Sequence, residues 1–325
     1  MRRRTLIAAS LAVPGLARAQ SWPDRPIALV VPFTAGGSTD IAARILAERM
    51  APRLGPQARI VVENRAGAGG SLGADHARRQ APDGHTLLMA TASSHGTNPA
   101  ALPQTTPYDP LADFMAIAVV GGGPMVLVVP GRSPHRTAPD LFAAMRAQPG
   151  RLTFATSGAG GIGHLTGAFM MARAGGLTAE HVPYRGGAQV LAAMAAGEVD
   201  FSVEVLASAA PHIRDGTSRA LAVSIPRRHP LVPEVPTLAE SGLAGFDVTT
   251  WNLLLGPRGM DPALVARINA AAVAVLAEPA VRERMAAAGV DAADPSSPDQ
   301  ARAFLAAELD KFRGIVREAG ITIGR

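Results

Sequence analysis

The chain has 325 residues, with 31 lysine plus arginine against 26 aspartate plus glutamate and no cysteine. That composition excludes disulfides, thiolate metal sites and cysteine nucleophiles, and it suits an oxidising compartment. Lys311 is the only lysine and the arginines are scattered, so the net charge of +5 is no footprint of a nucleic-acid partner.

The first residues, MRRRTLIAASLAVPGLARAQ, set three arginines before an apolar stretch running from Leu6 to about Leu16 and close with Ala17-Arg18-Ala19. This reads as a secretory signal peptide over residues 1–19, cleaved near Ala19-Gln20, because the apolar run is too short to cross a bilayer. Arg3-Arg4-Thr5-Leu6 loosely resembles a twin-arginine signal, which leaves the export route open. Cleavage removes four arginines and no acid, so 27 basic residues face 26 acidic ones, a net +1.

Next, PIALVVP (26–32) predicts a buried strand and STDIAARILAERMAPRLG (38–55) a helix capped by Ser38 or Thr39. ARIVVEN (58–64) and TLLMAT (86–91) predict two more strands, with SLGADHARRQ as a short helix between them. Strand, helix, strand, helix, strand signals a parallel sheet. MAIAVV (115–120) and MVLVVP (125–130) read as two strands separated by GGGP, after which the pattern restarts. APDLFAAMRAQ is helix, RLTFATS strand, GIGHLTGAFMMARAGG helix, AEHVPY strand and GGAQVLAAMAAGE helix, before the strands VDFSVEV and RALAVS. Three helical patterns, 261–277, 279–289 and 298–319, end the chain and are expected to return to the first unit. Two crossings, near 120–125 and 245–252, would then join two lobes around a cleft.

Several short patterns bear on chemistry. Gly158-Ala159-Gly160-Gly161-Ile162-Gly163 spells the dinucleotide fingerprint, but the acid expected about 20 residues on falls at the start of its strand, at Glu180, not the end. PFTAGGSTD (32–40) sets glycines between strand and helix in the same way. Each unit thus offers a glycine-rich helix start at a strand's carboxyl end, suited to a ligand with one or two carboxylates. Gly69-Gly70-Ser71-Leu72-Gly73 matches a nucleophile elbow, yet NRAGAGG separates Ser71 from its strand; Ser71 reads better as a helix cap, with an exported serine hydrolase as the alternative. The eight histidines show no metal-ligand spacing. His164 sits in a first helical turn beside the glycine loop, Asp40 in another, where dipole and cap support is its simplest role. Glu204, near the carboxyl end of its strand, could reach the cleft, and Trp251 in the return strand reads as core or hinge packing.

Taken in order, WPDRPIALVVPFTAGGSTDIAARILAERM, VVENRAGAGGSLGA, APDGHTLLMAT, ATSGAGGIGHLTG, HVPYRGG, AAGEVDF, PEVPTLAESGL and TTWNLLLGP resemble the successive signatures of the Bug-type (TctC-like) extracytoplasmic solute receptors of tripartite tricarboxylate transporters. The resemblance covers nearly the whole mature chain. It implies an α/β, two-lobed, type II-like periplasmic binding fold; the restart of the strand–helix pattern and the helical tail set 20–122 plus 248–325 as one lobe and 123–247 as the other. It implies a periplasmic, non-catalytic, monomeric receptor for a small organic (di)carboxylate, with no metal or cofactor and with membrane subunits as partners. The ligand contacts it implies are Phe33, Ala35, Gly36, Gly37, Ser38, Thr39 and Asp40 in the first lobe, and Ser157, Gly158, Gly160, His164, Tyr184 and Glu204 in the second. Two departures fall near the cleft: VEVLAS stands where the family commonly has a polar or acidic pair, and WNLLLGP replaces a commoner W-x-G-x-x-x-P.

Overall fold

The apolar run after Pro26 folds as β1 (Ile27–Val31), fully buried but for Ala28. A strand buried on both faces belongs inside a parallel sheet covered by helices, and β1 lies parallel between β2 (Ile60–Asn64) and β3 (Thr86–Thr91). The computed structural model describes residues 22–318 and residue 320; the signal-peptide reading of 1–19 lies outside the described residues. α1 (Ser38–Leu54) and α2 (Ser71–Arg78) connect these strands. The cap of α1 is Gly37 and not Ser38 or Thr39, and that of α2 is Gly70, so Ser71 opens its helix without capping it.

After β3 the chain makes a π-helical turn over Ala92–Thr97 and a short α3 (Asn98–Ala101), neither expected from the sequence. β4 (Phe114–Pro130) then runs straight through the GGGP stretch. The two-strand reading of 115–130 fails because these glycines do not turn. At Gly121 and Gly122, β4 is paired on both edges, and an added Cβ would overlap the carbonyl oxygens of Asp291 and Thr250. The glycines serve close backbone approach.

α4 (Ala138–Ala147), β5 (Thr153–Thr156), α5 (Ile162–Arg173), β6 (Glu180–Pro183), α6 (Gly187–Ala196) and β7 (Phe201–Val205) follow the predicted order. α7 (Leu206–Arg214) is an unexpected helix, hidden in the sequence by Pro211 inside it. β8 (Ser218–Val223), β9 (Thr249–Pro257), α8 (Pro262–Leu276), α9 (Pro279–Ala287), the two-residue β10 (Asp291–Ala292) and α10 (Pro298–Glu318) complete the order.

Strand pairing shows two halves sharing one strand. In the first half β9 is antiparallel to both β3 and the segment Phe114–Pro124 of β4. In the second, β7 and β8 are antiparallel to Met125–Pro130 of β4, and β5 runs parallel between β6 and β7. The full order is β2-β1-β3-β9-β4-β7-β5-β6, with β8 and β10 on β4. α8 and α9 pack against α1, and with it cover Leu29, Val31 and Met89. α10 packs on β4 and the π turn, burying its own Phe312 in one cluster with Trp251, and reaches α5 through an Arg173–Glu318 ion pair at 3.0 Å. α6 and α7 cover the second half's other face around Val126, Val128 and Leu191.

Candidate ligand-binding cleft

The loops after β1, β3, β5 and β7 converge, which is where open α/β sheets bind ligands. They enclose an inner cavity of about 40 Å³. The first half contributes Phe33, Thr34, Gly37, Ser38 and Thr39 from the loop into α1, with Thr91, Ser93 and Thr250 beside them. From the second come Ser157, Ile162, Gly187, Glu204, Val205 and Ser208. Hydroxyls and helix starts dominate this wall, and among the described residues no lysine or arginine lines it.

The two sides touch through reciprocal bonds. The Ser38 amide at the start of α1 donates to Ser208 Oγ at 3.2 Å, and the Ile162 amide at the start of α5 donates to Ser93 Oγ at 2.9 Å. Each hydroxyl satisfies a helix-start N–H that would otherwise need a ligand oxygen or water. Thr97 Oγ1 donates to the Gly160 carbonyl at 2.6 Å, and a Cβ on Gly158 would lie 3.1 Å from Gly69 Cα. Gly158 has φ +131°, a left-handed conformation for which glycine is the natural residue.

An outer chamber of about 330 Å³ adjoins the inner one, with Ser157 lining both. It holds Gly158, Tyr184 and Arg185 on one side and Gly69, Ser71 and Asn98 on the other. Arg185 is the one basic side chain among the described residues lining either chamber.

Of the residues expected at the ligand, Phe33, Gly37, Ser38, Thr39, Ser157 and Glu204 line the inner cavity, and Gly158 and Tyr184 the outer. Ala35 and Gly36 line neither. Asp40 also turns away from both. It accepts the Gly36 amide at 3.0 Å, Arg44 at 2.9 and 3.0 Å, and Asn64 Nδ2 at 2.9 Å. Burial opposes its charge, but those bonds outweigh it and hold the carboxyl below its ordinary range. Asp40 thus shapes the first loop. Gly160 packs against Leu102 and Asn98 at the cleft wall. His164 stacks on His181 with ring centroids 3.8 Å apart, and its Nδ1 accepts the Gly160 amide at 3.2 Å. It therefore holds the second glycine loop from behind.

Sequence reasoning missed Thr34, Thr91, Ser93, Ile162, Gly187, Ser208 and Thr250 in the inner wall. One signal was present: Gly186-Gly187 opens α6 as the other glycine pairs open α1 and α5, and a Cβ on Gly186 would overlap the Thr34 hydroxyl across the cleft. Ser71 Oγ accepts from Asn98 Nδ2 at 2.9 Å and lies 3.3 Å from Tyr108 OH, with no histidine or acid among its hydrogen-bond partners in the described residues. A serine nucleophile needs an adjacent base, so this environment does not support the hydrolase reading.

The His164 contact predicts a pH response. Burial first, and the neighbouring His181 second, pull its pKa down to about 4 from the ordinary 6.5. Below pH 6.5 the unfolded chain takes up a proton that the native one refuses until about pH 4, so stability is lost as pH falls through that window. His164→Asn keeps an acceptor for the Gly160 amide and removes the titration. Urea unfolding should show the stability difference between pH 7 and pH 4.5 shrinking by about 2–3 kcal/mol against wild type. An identical pH profile in both proteins would refute this role.

Two α/β halves closing hydroxyls and helix starts around a small enclosed cavity define a solute-binding protein. The chain belongs to the tripartite tricarboxylate transporter family receptors (TctC), whose family model matches residues 42–321. Protein BugT of Bordetella pertussis is 36% identical over 304 residues, 93% of this chain and 91% of that protein. A solved structure of an R. palustris protein with adipate superposes with a TM-score of 0.87 at 31% identity, covering 92% of this chain and 99% of that one. MatC from Rhodopseudomonas palustris with bound malate gives 0.86 at 31% identity, covering 91% and 100%. The fold is that of the periplasmic binding proteins, and the family is one of extracytoplasmic solute receptors.

Proposed function

We propose that this chain is a periplasmic receptor that captures a small organic carboxylate between two lobes, for uptake or sensing, without catalysis. The observation that carries the reading is the inner cavity, where strand-end loops of both halves bring the starts of α1, α5 and α6 to one small space. A helix start presents free N–H groups and a partial positive charge to an anion. Similar proteins whose structures hold adipate and malate support the same ligand class. Residues 20–122 plus 248–325 and residues 123–247 are proposed as the two lobes, hinged where β4 and β9 cross. Phe33, Gly37, Ser38, Thr39, Ser157 and Glu204 are proposed as direct contacts. Membrane subunits of a tripartite tricarboxylate transporter are the proposed partners of a monomeric receptor. Export removes residues 1–19, so the mass of the periplasmic form should begin at Gln20; a retained Met1 there would contradict cleavage.

The test is thermal shift with a panel of mono- and dicarboxylates and their uncharged amides. A carboxylate at about 100 times its Kd should stabilise the protein by about 2.7 kcal/mol, raising Tm by several degrees, and should be recovered unchanged. Equal shifts from the amides, or no shift from any acid, would overturn the reading.

A further inference from the structure

Among the described residues, Glu204 is the one titratable side chain in the wall of the inner cavity. It is the penultimate residue of β7 and only 2% exposed. The elements around it bring no counter-charge. β3, β4, β5, β9 and α6 carry no ionisable side chain. Asp40 and Arg44 of α1 pair with each other, and His164 of α5 stacks on His181. His212 of α7 bonds Thr217, and neither it nor Arg214 lines the cavity. The remaining charges of α1, Glu48, Arg49 and Arg53, pair with Arg284 and Glu278.

Burial, and not the immediate contacts, favours a carboxyl that keeps its proton. Ser202 has one hydroxyl proton for two acceptors, the Ala155 carbonyl at 2.8 Å and Glu204 Oε1 at 3.3 Å. The shorter contact is the one to the carbonyl, so the bond to Oε1 is the weaker of the two. The other oxygen, Oε2, faces the start of α6, and a Cβ on Gly187 would lie 2.7 Å from it. Burial pushes the carboxyl up to about 7, against the opposing pull of hydrogen bonds from Ser202 and the Val205 amide.

We propose that Glu204 is the specificity-determining residue of this cleft: it selects an acid whose far end carries a hydrogen-bond donor, hydroxyl or ammonium, and admits a second carboxylate only together with a proton. This rests on the carboxylate-receptor reading. One ligand carboxylate meets helix-start N–H groups. The opposite ligand group then meets Glu204. Two ionised carboxylates in hydrogen-bond contact repel, so such a pair holds a single shared proton. An ammonium or hydroxyl donates to Glu204 without that requirement.

Calorimetry on the purified protein tests this with matched ligands: 4-aminobutyrate and 4-hydroxybutyrate against succinate, and 6-aminohexanoate against adipate. At pH 8.5 the amino or hydroxy acid should bind at least tenfold more tightly than the dicarboxylate of its length. Dicarboxylate affinity should rise about tenfold per unit as pH falls from 8.5, level off below about 7, and be accompanied by uptake of one proton. Glu204→Gln should abolish both the slope and the proton uptake, while Glu204→Asp, which still titrates, should retain a slope. Tighter dicarboxylate binding at pH 8.5, or an unchanged slope in Glu204→Gln, overturns the proposal and leaves the carboxylate receptor standing. If none of these acids binds and succinamide does, the carboxylate reading itself falls, and this proposal with it.

Discussion

Gly37→Asp is expected to lower carboxylate affinity at least a hundredfold, about 2.7 kcal/mol, with no loss of fold stability. Gly37 is the cap residue of α1, in an ordinary extended conformation with φ −78° and ψ 167°. A Cβ there meets only the Thr34 carbonyl oxygen, at 3.8 Å, so the side chain fits. Aspartate is among the best capping residues and should stabilise the helix start slightly. The same carboxylate would bond the N–H groups offered to a ligand, and would add a like charge to a cavity of about 40 Å³. Urea unfolding and calorimetry on the same sample separate the two effects. Binding within fivefold of wild type would show that the α1 start does not hold the ligand. Gly160 is a poor substitute for this experiment: it has φ +76°, and its Cβ would lie 2.6 Å from Asn98 Oδ1.

Trp251→Ala is expected to cost about 3–5 kcal/mol of stability. Trp251 is 3% exposed on β9, opposite Gly122 of β4, and its indole N–H donates to Glu308 Oε2 at 2.8 Å. Its ring meets Phe304 edge-on at 5.6 Å. Truncation opens a cavity under α10 and, among the described residues, leaves Glu308 with only a distant Lys311, at 3.8 Å. Trp251→Phe should recover part of the loss. A loss below about 1 kcal/mol on urea unfolding would mean that the crossing strands do not depend on this side chain.

Much of the fold could be read before any coordinates, because its signals are local. Strand runs ending at glycine and helices with apolar spacing fixed most elements from β1 to α10 to within a few residues. What escaped lacks a local signal. The π turn over Ala92–Thr97 is small and polar, held by Thr91–Ser94 capping bonds and by Tyr108 OH on the Ser94 carbonyl at 2.6 Å. GGGP was misread because glycine marks both turns and close approach, and only the neighbouring strands decide which. The candidate site divides in the same way. Glycine loops announced the α1 and α5 starts, whereas Ser93, Ser208 and Thr250 reach the cavity through tertiary packing that no spacing encodes. Asp40 and His164 stood in the right turns, but their side chains found partners behind the loops and not in the cleft.

The strand order has a consequence for how the molecule is made. In the first half β9 lies between β3 and β4, so the strand synthesised last among them sits in the middle of the sheet. Residues 27–124 cannot complete their sheet until residues 249–257 have emerged, whereas the second half, from Met125 to Val223, is contiguous. Contacts of such long sequence separation form late, after the loop-closure entropy has been met. A nascent chain therefore carries β3 and the Phe114–Pro124 stretch of β4 without their shared neighbour until Pro257 is present, which exposes it to mispairing. Pulse-labelled hydrogen exchange during refolding should register protection in β5 and β7 before β3 and β9.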